Sequence, residues 1–588
     1  MDKNYKKMLS DRLGMFVHYG LYSALAGSYK GKEIIGLGEW IQRRAEIPID
    51  EYVSSTKEAF CPAPDFAERL VKSAKAAGAK YIVLTSKHHD GFCLFKTAVD
   101  GYNAYDFYGR DICRELMEAC HKEGLELGFY YSHTLDWHEK NGAGNYELAH
   151  PEKLTTNRNY WDYPDNNIDF EEYYRRKCLP QVRELLTNYG KLKCIWFDYP
   201  HDITYEESLE LRNLVKELQP DCLINSRIGH GLWDYNSLGD NGLPSTPAKF
   251  PTECLITLNH TWGYKAYDKD YKSSRSVIEI LCRTLTANST LLLNVGPMAC
   301  GMLTEETYSI LSDLGRWVDL NSEAVYGDIW GNPYKTTFDW GYLSKKDNSL
   351  FIYLKEQRES ISLSGIKSAP ISVSLLGDSR SVEFSYSGET FTFAPVKTDM
   401  VMPVYKVSFA NPPEISDKLE IDSTRESLPV SFSSVMKRGV PESLKPIVLE
   451  IDDTRGWYGT HGMTLTRIET AHNWISPDDV LVWDVDFLEE GEYLAEVVCA
   501  EPSFETHCSA PYTTDPYTLH VGEYSSPVSP TVKYSYNLNT SGACNLRYAK
   551  DAGTFKIEKC GRYRIALTKE FDGMGIGMFE VKFKKIKG

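Results

Sequence analysis

Residues 81–92, with the sequence YIVLTSKHHDGF, decide the fold of this chain. A short apolar and β-branched run ends abruptly in a lysine, two histidines and an aspartate, and a glycine follows. Such a run predicts a strand that is buried on both faces, as in a parallel sheet covered by helices. In α/β enzymes the chemistry lies where these strands end, because the following loop opens onto a crevice while the strand stays rigid.

The same pattern recurs over the first 325 residues. Apolar runs that end in polar or aromatic clusters lie at 13–20, 125–133, 194–198, 222–227 and 291–297. Helical patterns separate them, at 66–74, 116–120, 173–189, 208–218 and 277–285. This alternation is typical of a (β/α) barrel or of an open doubly wound sheet. No G-x-G-x-x-G follows the first strand, which disfavours a nucleotide-binding open sheet. Functional-looking ends on at least six strands favour a (β/α)8-like TIM barrel, in which all strand ends meet at one mouth.

The length of the chain requires further domains. A barrel takes about 250 residues, and this chain has 588. We therefore assign the barrel to residues 1–325. Short alternating segments predict a β-sandwich at 326–415, and a polar, Ser/Pro-containing stretch at 416–444 predicts a linker. Residues 445–588 again alternate as strands and predict a second β-sandwich, a candidate carbohydrate-binding module.

Composition excludes several classes of partner. The formal net charge of −17 disfavours nucleic acid and anionic membranes, because phosphates repel such a surface. No apolar run is long enough to span a bilayer, and the amino terminus has no apolar signal core. We expect a soluble cytoplasmic protein, unless the numbered chain begins after a removed signal. The 14 cysteines are scattered without a Cys-x-x-Cys and are expected to be buried reduced thiols.

The mouth of the predicted barrel is rich in carboxylates, histidines and aromatic rings, a combination that suits a sugar. Its ordered motifs are HYG at 18–20, GEW at 38–40, KHHDGF at 87–92, WFD at 196–198, and EC at 253–254 followed by WGY at 262–264. This set resembles the α-L-fucosidases of glycoside hydrolase family 29 in order and approximate spacing. The resemblance covers roughly residues 13–326.

The resemblance implies a retaining exo-α-L-fucosidase that needs no cofactor. Such an enzyme hydrolyses terminal α-L-fucosyl residues of fucosylated oligosaccharides or glycoconjugates through a covalent glycosyl-enzyme intermediate, so the expected partner is a fucosylated glycan. By the same resemblance Asp198 is the nucleophile and Glu253 the acid/base. The residues implied in substrate binding are His18, Glu39, Trp40, His88, His89, Tyr131, Trp196, Arg227 and Trp262.

Retention explains why these residue types are needed. It requires two carboxyl groups about 5–5.5 Å apart, one a nucleophile and the other a proton donor. The nucleophile Asp198 must stay ionised, for which a neighbouring Arg227 is suited, and the donor must stay protonated. Relatives of this kind take the donor from different loops, so Glu39 and Asp240 remain rivals of Glu253.

Two other classes of function stay open on the sequence. One is a metal-dependent barrel hydrolase with His18, His88, His89 and Asp198 as ligands. Adjacent His88 and His89 would point to opposite faces of an extended strand, which disfavours a shared metal. The other is a non-catalytic carbohydrate-binding relative, against which Asp198 and the candidate Glu253 argue.

Overall fold

In the computed structural model, nearly all of the barrel and of the first β-sandwich is described. The described residues are 3–142, 157–439 apart from 166, 202, 245 and 379, and then 447–448, 464–465, 471–472, 474, 476–500, 517–528, 547–572 and 578–586.

Eight described strands form the predicted barrel region, residues 1–325. In chain order they are β1 (Leu13–Val17), β2 (Tyr81–Lys87), β3 (Glu126–Ser132), β4 (Cys194–Asp198), β5 (Leu223–Ile224), β6 (Asn236–Ser237), β7 (Thr252–Thr257) and β8 (Thr290–Val295). Nearly every residue in them is buried. Because these runs are apolar, both faces of each strand can be buried, as in a parallel sheet covered by helices.

The strands curl into a ring. Their order is β5-β4-β3-β2-β1-β8-β7-β6, and each neighbouring pair is parallel. A parallel bridge between Asn225 and Tyr235, next to β5 and β6, joins the two remaining edges. The predicted TIM-like barrel is confirmed, and the carboxyl ends of its strands open on one mouth.

Helices pack on the outside of the ring. The main ones are Phe66–Ala76, Ile112–Glu123, Leu179–Asn188, Tyr205–Leu218, Ser274–Thr286 and Glu305–Leu320. Shorter helical segments are Lys3–Ser10, Tyr22–Leu25, Gly38–Trp40, Ile41–Arg44, Ile49–Thr56, Ala104–Tyr108, Phe170–Tyr173, Tyr174–Cys178, Ser226–Ile228 and Ser322–Val325. Capping fixes where several begin: Thr204 and Glu207 form a capping box at the start of Tyr205–Leu218.

The barrel strands have two different faces. One face packs against the helices and builds the larger core. The other fills the interior of the ring, which we call the lumen, with rings that include Phe16, Tyr81, Tyr130, Trp196 and Trp262. Successive side chains of a strand point to opposite faces, so each strand contributes to both cores. The lumen is therefore a packed aromatic column beneath the mouth.

A first β-sandwich follows the barrel. Its larger sheet has the strand order Gly341–Lys346, Ser349–Leu354, Val404–Phe409 and Pro370–Leu375, and its smaller sheet Ile361–Leu363, Thr390–Phe393 and Phe384–Ser387. Apolar side chains of both sheets form one core. This matches the alternation of the sequence between 326 and 415.

The segment 416–444, predicted to be a linker, is instead part of the second sandwich. Its strands Glu420–Ile421 and Ser434–Lys437 pair with Asp479–Phe487, and its strand Ser427–Pro429 pairs with Met578–Lys585. The other described strands of this sandwich are Ile447–Val448, Gly491–Ala500, Tyr517–Val521, Tyr524–Val528, Arg547–Ile557 and Gly561–Lys569. Two further short strands, Thr464–Leu465 and Ala471–His472, pair with each other. Polar composition suggested a linker, but short strands at sheet edges are often polar as well.

The second sandwich contacts the barrel and the first sandwich. Thr246 and Ser431 share a hydrogen bond of 3.0 Å between their hydroxyls, and the hydroxyl of Thr337 donates to Glu580 at 2.7 Å. Within the described ranges, no helix is both long enough and apolar enough to cross a membrane.

Candidate active site

Asp198 is the last residue of β4, at the mouth of the barrel. Its Oδ2 accepts the hydroxyl of Tyr130 at 2.8 Å, and its Oδ1 accepts Nη1 of Arg227 at 3.0 Å. Nε2 of His89 lies 3.7 Å from Oδ2. Burial alone would raise the pKa of Asp198, but the charge of Arg227 and the hydrogen bonds from Tyr130 and Arg227 lower that pKa to about 2. The carboxylate is ionised and held on two sides.

Arg227 joins Asp198 to a second carboxylate. It lies in the 3₁₀ turn Ser226–Ile228 that follows β5. Its Nη2 donates to Oδ1 of Asp240 at 2.5 Å, while its Nη1 holds Asp198. Because one planar guanidinium contacts both carboxylates, Asp198 and Asp240 lie side by side at the mouth.

His18 and Asn294 form the opposite side of the mouth. Nδ2 of Asn294 donates to the carbonyl of Trp262 at 2.8 Å, so its Oδ1, 2.6 Å from Nδ1 of His18, accepts from that histidine. This network assigns the proton to Nδ1 and leaves Nε2 of His18 as an acceptor. Burial lowers the pKa of His18 to about 3, so the ring is neutral. Trp262 lies beneath it, with ring centroids 5.2 Å apart.

The hydrogen bonds of His89 also assign its tautomer. The hydroxyl of Ser132 donates to the carbonyl of Leu135 at 2.6 Å and therefore accepts from Nδ1 of His89 at 2.7 Å. Burial lowers the pKa of His89 to about 4, against the opposing effect of Asp198. Nε2 is again an acceptor. A pair of neutral imidazoles with free acceptor nitrogens suits the hydroxyl groups of a sugar.

His88 and His89 face the same pocket. The strand ends at Lys87, one residue before them, and their ring centroids lie 4.2 Å apart. The expectation that adjacent histidines would point to opposite faces is therefore wrong, because the chain is no longer extended there. His88 stacks on Tyr130 with an interplanar angle of 7°. In the part of the chain that the structure describes, no group of three or more His, Cys, Asp or Glu is arranged to hold a metal ion.

Glu39 and Trp40 form the rim on the β1 side. The amide of Gly263 donates to Oε2 of Glu39 at 2.8 Å. A Cβ on Gly263 would lie 3.1 Å from the backbone nitrogen of Glu39, so a glycine permits this close approach. Burial raises the pKa of Glu39 to about 7, against the hydrogen bond from Gly263. The Trp40 ring meets His89 and Trp137 edge-on, at 5.1 and 5.3 Å.

Tyr131 does not reach the mouth. Its hydroxyl donates to Oε1 of Gln181 at 2.8 Å, between the sheet and the helices. The neighbouring Tyr130 points into the lumen and binds Asp198 in its place. The register shows why: Tyr130 is paired with Trp196 and Ser132 with Asp198, so these four share the lumen face. The sequence alone does not show which of the two adjacent tyrosines on β3 faces the same side of the sheet as Asp198, and this was the signal that sequence reasoning missed.

Glu253 is also not where the sequence predicted it. It is the second residue of β7 and lies opposite Thr290, the first residue of β8, whereas Thr257 lies opposite Asn294 at the mouth. Four residues of strand separate Glu253 from that level, roughly 13 Å at about 3.3 Å per residue. Its carboxylate accepts the hydroxyl of Tyr81 at 2.8 Å and Nε1 of Trp196 at 2.9 Å. Glu253 lies at the floor of the lumen, so this position corrects its assignment as a proton donor at the mouth.

Trp196 occupies the middle of the lumen. Its side chain faces the same side of β4 as Asp198, as the spacing of two residues predicted. It is almost fully buried and stacks on Tyr130 at 17° with centroids 5.6 Å apart. The guanidinium of Arg227 lies 4.9 Å from its ring centroid. Trp196 supports the groups that hold Asp198.

Comparisons with known proteins bear on the family and the fold of this chain. The sequence profile of the family described as Alpha-L-fucosidase matches residues 2–323. A solved α-L-fucosidase from Vibrio sp. strain EJY3 is 24% identical and aligns over 99% of this chain and 98% of its own, with a TM-score of 0.78, which supports the fold.

Two relatives are informative about the barrel. A variant of the α-L-fucosidase AlfC from Lactobacillus casei, solved in complex with Fucα(1,6)GlcNAc, is 38% identical over 55% of this chain and 100% of its own, with a TM-score of 0.51. A putative α-L-fucosidase from Caenorhabditis elegans is 28% identical over 54% of this chain. The match spans 65% of that relative's length.

Proposed function

The chain belongs to the α-L-fucosidase family, a family of glycoside hydrolases, and on this premise we propose that it removes terminal α-L-fucosyl residues from fucosylated oligosaccharides or glycoconjugates with retention of configuration. The observation that carries the proposal is the pair of carboxylates on one arginine at the barrel mouth. Retaining glycosidases need two carboxyl groups about 5–5.5 Å apart, and one guanidinium between them keeps two carboxylates close.

In this proposal Asp198 is the nucleophile. Its pKa of about 2 keeps it ionised at any working pH, and Tyr130 and Arg227 fix both of its oxygens. Its side chain retains 16% exposure at the mouth, so a substrate can reach it. Attack at the anomeric carbon forms the glycosyl-enzyme and expels the aglycone oxygen. Water then attacks the same carbon and releases fucose with its original configuration.

The proton donor in this proposal is Asp240. It is the second carboxyl at Arg227, and it takes the place that the sequence had given to Glu253. Its side chain is 30% exposed, so it can meet a leaving group that enters from solvent. It first protonates the departing oxygen and then removes a proton from the attacking water, in the order that retention requires.

The remaining residues of the mouth bind the sugar. His18 and His89 present neutral acceptor nitrogens, Trp40 and Trp262 supply apolar ring surfaces, and Glu39 completes the rim. Sugars bind through such a combination, since C–H faces stack on rings while hydroxyls take polar partners. Because AlfC was solved with Fucα(1,6)GlcNAc, we include that disaccharide among the candidate substrates.

We assign the second sandwich an accessory role in binding or stability. Each of the residues proposed above for chemistry or sugar binding lies between His18 and Trp262, within the barrel. One described contact of the sandwich with the barrel is the hydrogen bond between Thr246 and Ser431, and neither residue is among those proposed above.

The test of the proposed function follows the anomer that is released first. With 4-nitrophenyl α-L-fucoside and Fucα(1,6)GlcNAc as substrates, proton NMR should show α-L-fucose before mutarotation, and a chelator should leave the rate unchanged. First release of the β anomer, or no cleavage of either fucoside at high enzyme concentration, would refute it. Loss of activity with a chelator that zinc restores would favour the metal-dependent hydrolase.

Leaving-group dependence tests the assignment of Asp240. Asp240→Ala should reduce turnover of Fucα(1,6)GlcNAc by about 10²–10⁴-fold and that of the activated aryl fucoside far less, because only the poor leaving group needs the proton. Added azide should restore turnover and give α-fucosyl azide, because azide attacks the β-linked glycosyl-enzyme from the opposite face without needing a general base. If Glu39→Ala shows this behaviour and Asp240→Ala does not, the donor is Glu39.

A further inference from the structure

Glu253 is a buried carboxyl that the proposed chemistry does not use. It lies at the floor of the lumen with no exposed surface. Its described hydrogen-bond donors are the hydroxyl of Tyr81 and the indole nitrogen of Trp196, both neutral. A buried carboxyl whose hydrogen-bond donors are neutral costs free energy, whereas an apolar side chain would fill the same space without that cost. Such a group in a lumen of aromatic rings indicates a role other than stability.

The contacts of Trp196 show what that role is. The indole has a single N–H, and Glu253 accepts it, which fixes the rotation of the ring about its side-chain bonds. One face of the ring stacks on Tyr130. The guanidinium of Arg227 also lies against the ring. Tyr130 and Arg227 are the two groups that bind the oxygens of Asp198, so Trp196 touches both partners of the nucleophile.

When Glu253 is ionised, its negative charge adds to this geometry. A carboxylate that accepts an indole N–H forms a charge-assisted hydrogen bond and polarises the ring. A more electron-rich ring attracts a cation on its face more strongly. The charge at the floor of the lumen therefore strengthens the hold on Arg227 at the mouth.

We propose that Glu253 is a positioning residue, which orients Trp196 and through it holds Tyr130 and Arg227 in place against Asp198. The inference rests on the proposed function, because it takes Asp198 to be the nucleophile. It assigns Glu253 no proton transfer to or from the substrate.

The decisive measurement is the rate at which 2-deoxy-2-fluoro-fucosyl fluoride labels Asp198, followed by mass spectrometry of the intact full-length protein. Fluoride leaves without a proton, so the labelling rate constant reports nucleophilic attack alone. Glu253→Gln keeps the size of the side chain and removes its charge. We expect the rate constant to fall roughly ten- to a hundredfold, because misplacement by about 1 Å can cost 10²-fold. One label per molecule should still form.

Steady-state kinetics should show a loss of kcat with little change in KM. For Glu253→Gln we expect kcat to fall by the same factor for good and poor leaving groups, while KM changes by less than about threefold. Azide should not restore turnover. Tyr81→Phe is the matched control, because it removes the other hydrogen bond to the same carboxylate and leaves the bond to Trp196. Its labelling rate constant should stay within about twofold of the wild type.

Trp196→Phe tests the same inference with Glu253 intact. Phenylalanine keeps a ring in the lumen but has no N–H, so labelling should slow as in Glu253→Gln. This variant carries the test if Glu253→Gln does not fold.

Three results would overturn the inference. An unchanged rate constant with fewer molecules labelled would show a merely structural role. A loss confined to poor leaving groups, with azide rescue, would return Glu253 to the role of acid/base. Normal labelling of Trp196→Phe would exclude the indole as the link. A wild type that takes no label at Asp198 would instead refute the proposed nucleophile, which is a different outcome.

Discussion

Asp198 and Glu253 are two carboxyl groups in one barrel lumen, and their pKa values are shifted in opposite directions. Asp198 has an arginine beside it and a pKa of about 2, whereas Glu253 has two neutral hydrogen-bond donors and a pKa raised by burial to about 7. Both accept two hydrogen bonds from side chains. Hydrogen bonds are thus not the difference. The adjacent positive charge of Arg227 keeps the upper carboxyl ionised, whereas the charges of Lys193 and Arg227 only partly offset the effect of burial on the pKa of the lower one.

Removing each of the two carboxylates in turn should give the largest difference in activity. Asp198→Asn should lower kcat by at least about 10⁴-fold and abolish fluoro-sugar labelling, because no covalent intermediate can form. Glu253→Gln should only slow labelling. Circular dichroism of both variants should match the wild type. A label on another carboxylate in Asp198→Asn would move the nucleophile elsewhere.

Removing the counter-charge should produce the next largest effect. Arg227→Gln should lower kcat/KM by about 10²–10³-fold, because it leaves Asp198 and Asp240 as two neighbouring carboxylates without a cation. The pKa of Asp198 should rise, which the acid limb of the kcat/KM profile reports. Arg227→Lys is the control, since it keeps the charge and loses the planar fork, and its loss should be smaller. Equal losses in both variants would show that geometry matters more than charge.

Two adjacent tyrosines on β3 test whether only the lumen face of this strand contributes to kcat. Tyr130→Phe removes a hydrogen bond to Asp198 and should lower kcat about tenfold. Tyr131→Phe removes a hydrogen bond to Gln181 outside the lumen and should leave kcat within about twofold. Aryl fucoside kinetics on both purified variants measure the difference. Similar losses would mean that Tyr131 also acts on the site.

The remaining prediction concerns stability and its pH dependence rather than activity. Between the ordinary pKa of 4.5 and the folded value of about 7, folded Glu253 holds a proton that the unfolded chain has released, so stability falls as pH rises through this window. Glu253→Gln lacks this loss. The unfolding free energy of Glu253→Gln should therefore rise relative to that of the wild type between pH 4.5 and 8, by on the order of 3 kcal/mol.

Asp198→Asn is the control for that measurement. The pKa of Asp198 is depressed, so its contribution is present above the ordinary value of 3.8 and is lost only as pH falls towards 2. The difference between Asp198→Asn and the wild type should stay constant from pH 5 to 8 in denaturant titrations. A flat difference for Glu253→Gln as well would show that Glu253 is already ionised in the folded protein at pH 5.

The sequence by itself determined the barrel and the upper layer of the site. Apolar strands that end in HYG, KHHDGF and WFD place His18, His88, His89 and Asp198 at the carboxyl ends of their strands, and in a barrel all such ends meet. These are local signals, since each depends on where one strand stops. Arg227 was also predicted near Asp198, and the structure adds that it holds Asp240 at the same time.

Only the tertiary structure decided which residues lie on the same face of the sheet and which lie at the same height along the barrel. Tyr130 and Tyr131 have the same side chain, and the register between β3 and β4 alone sends the first to Asp198 and the second to Gln181. Glu253 lies in the predicted segment, but the register of β7 with β8 sets it at the floor of the lumen. Segment 416–444 became strands because distant partners at 479–487 and 578–585 complete its hydrogen bonds. Pairing register between strands far apart in sequence is a property of the assembled sheet, so the local pattern does not contain it.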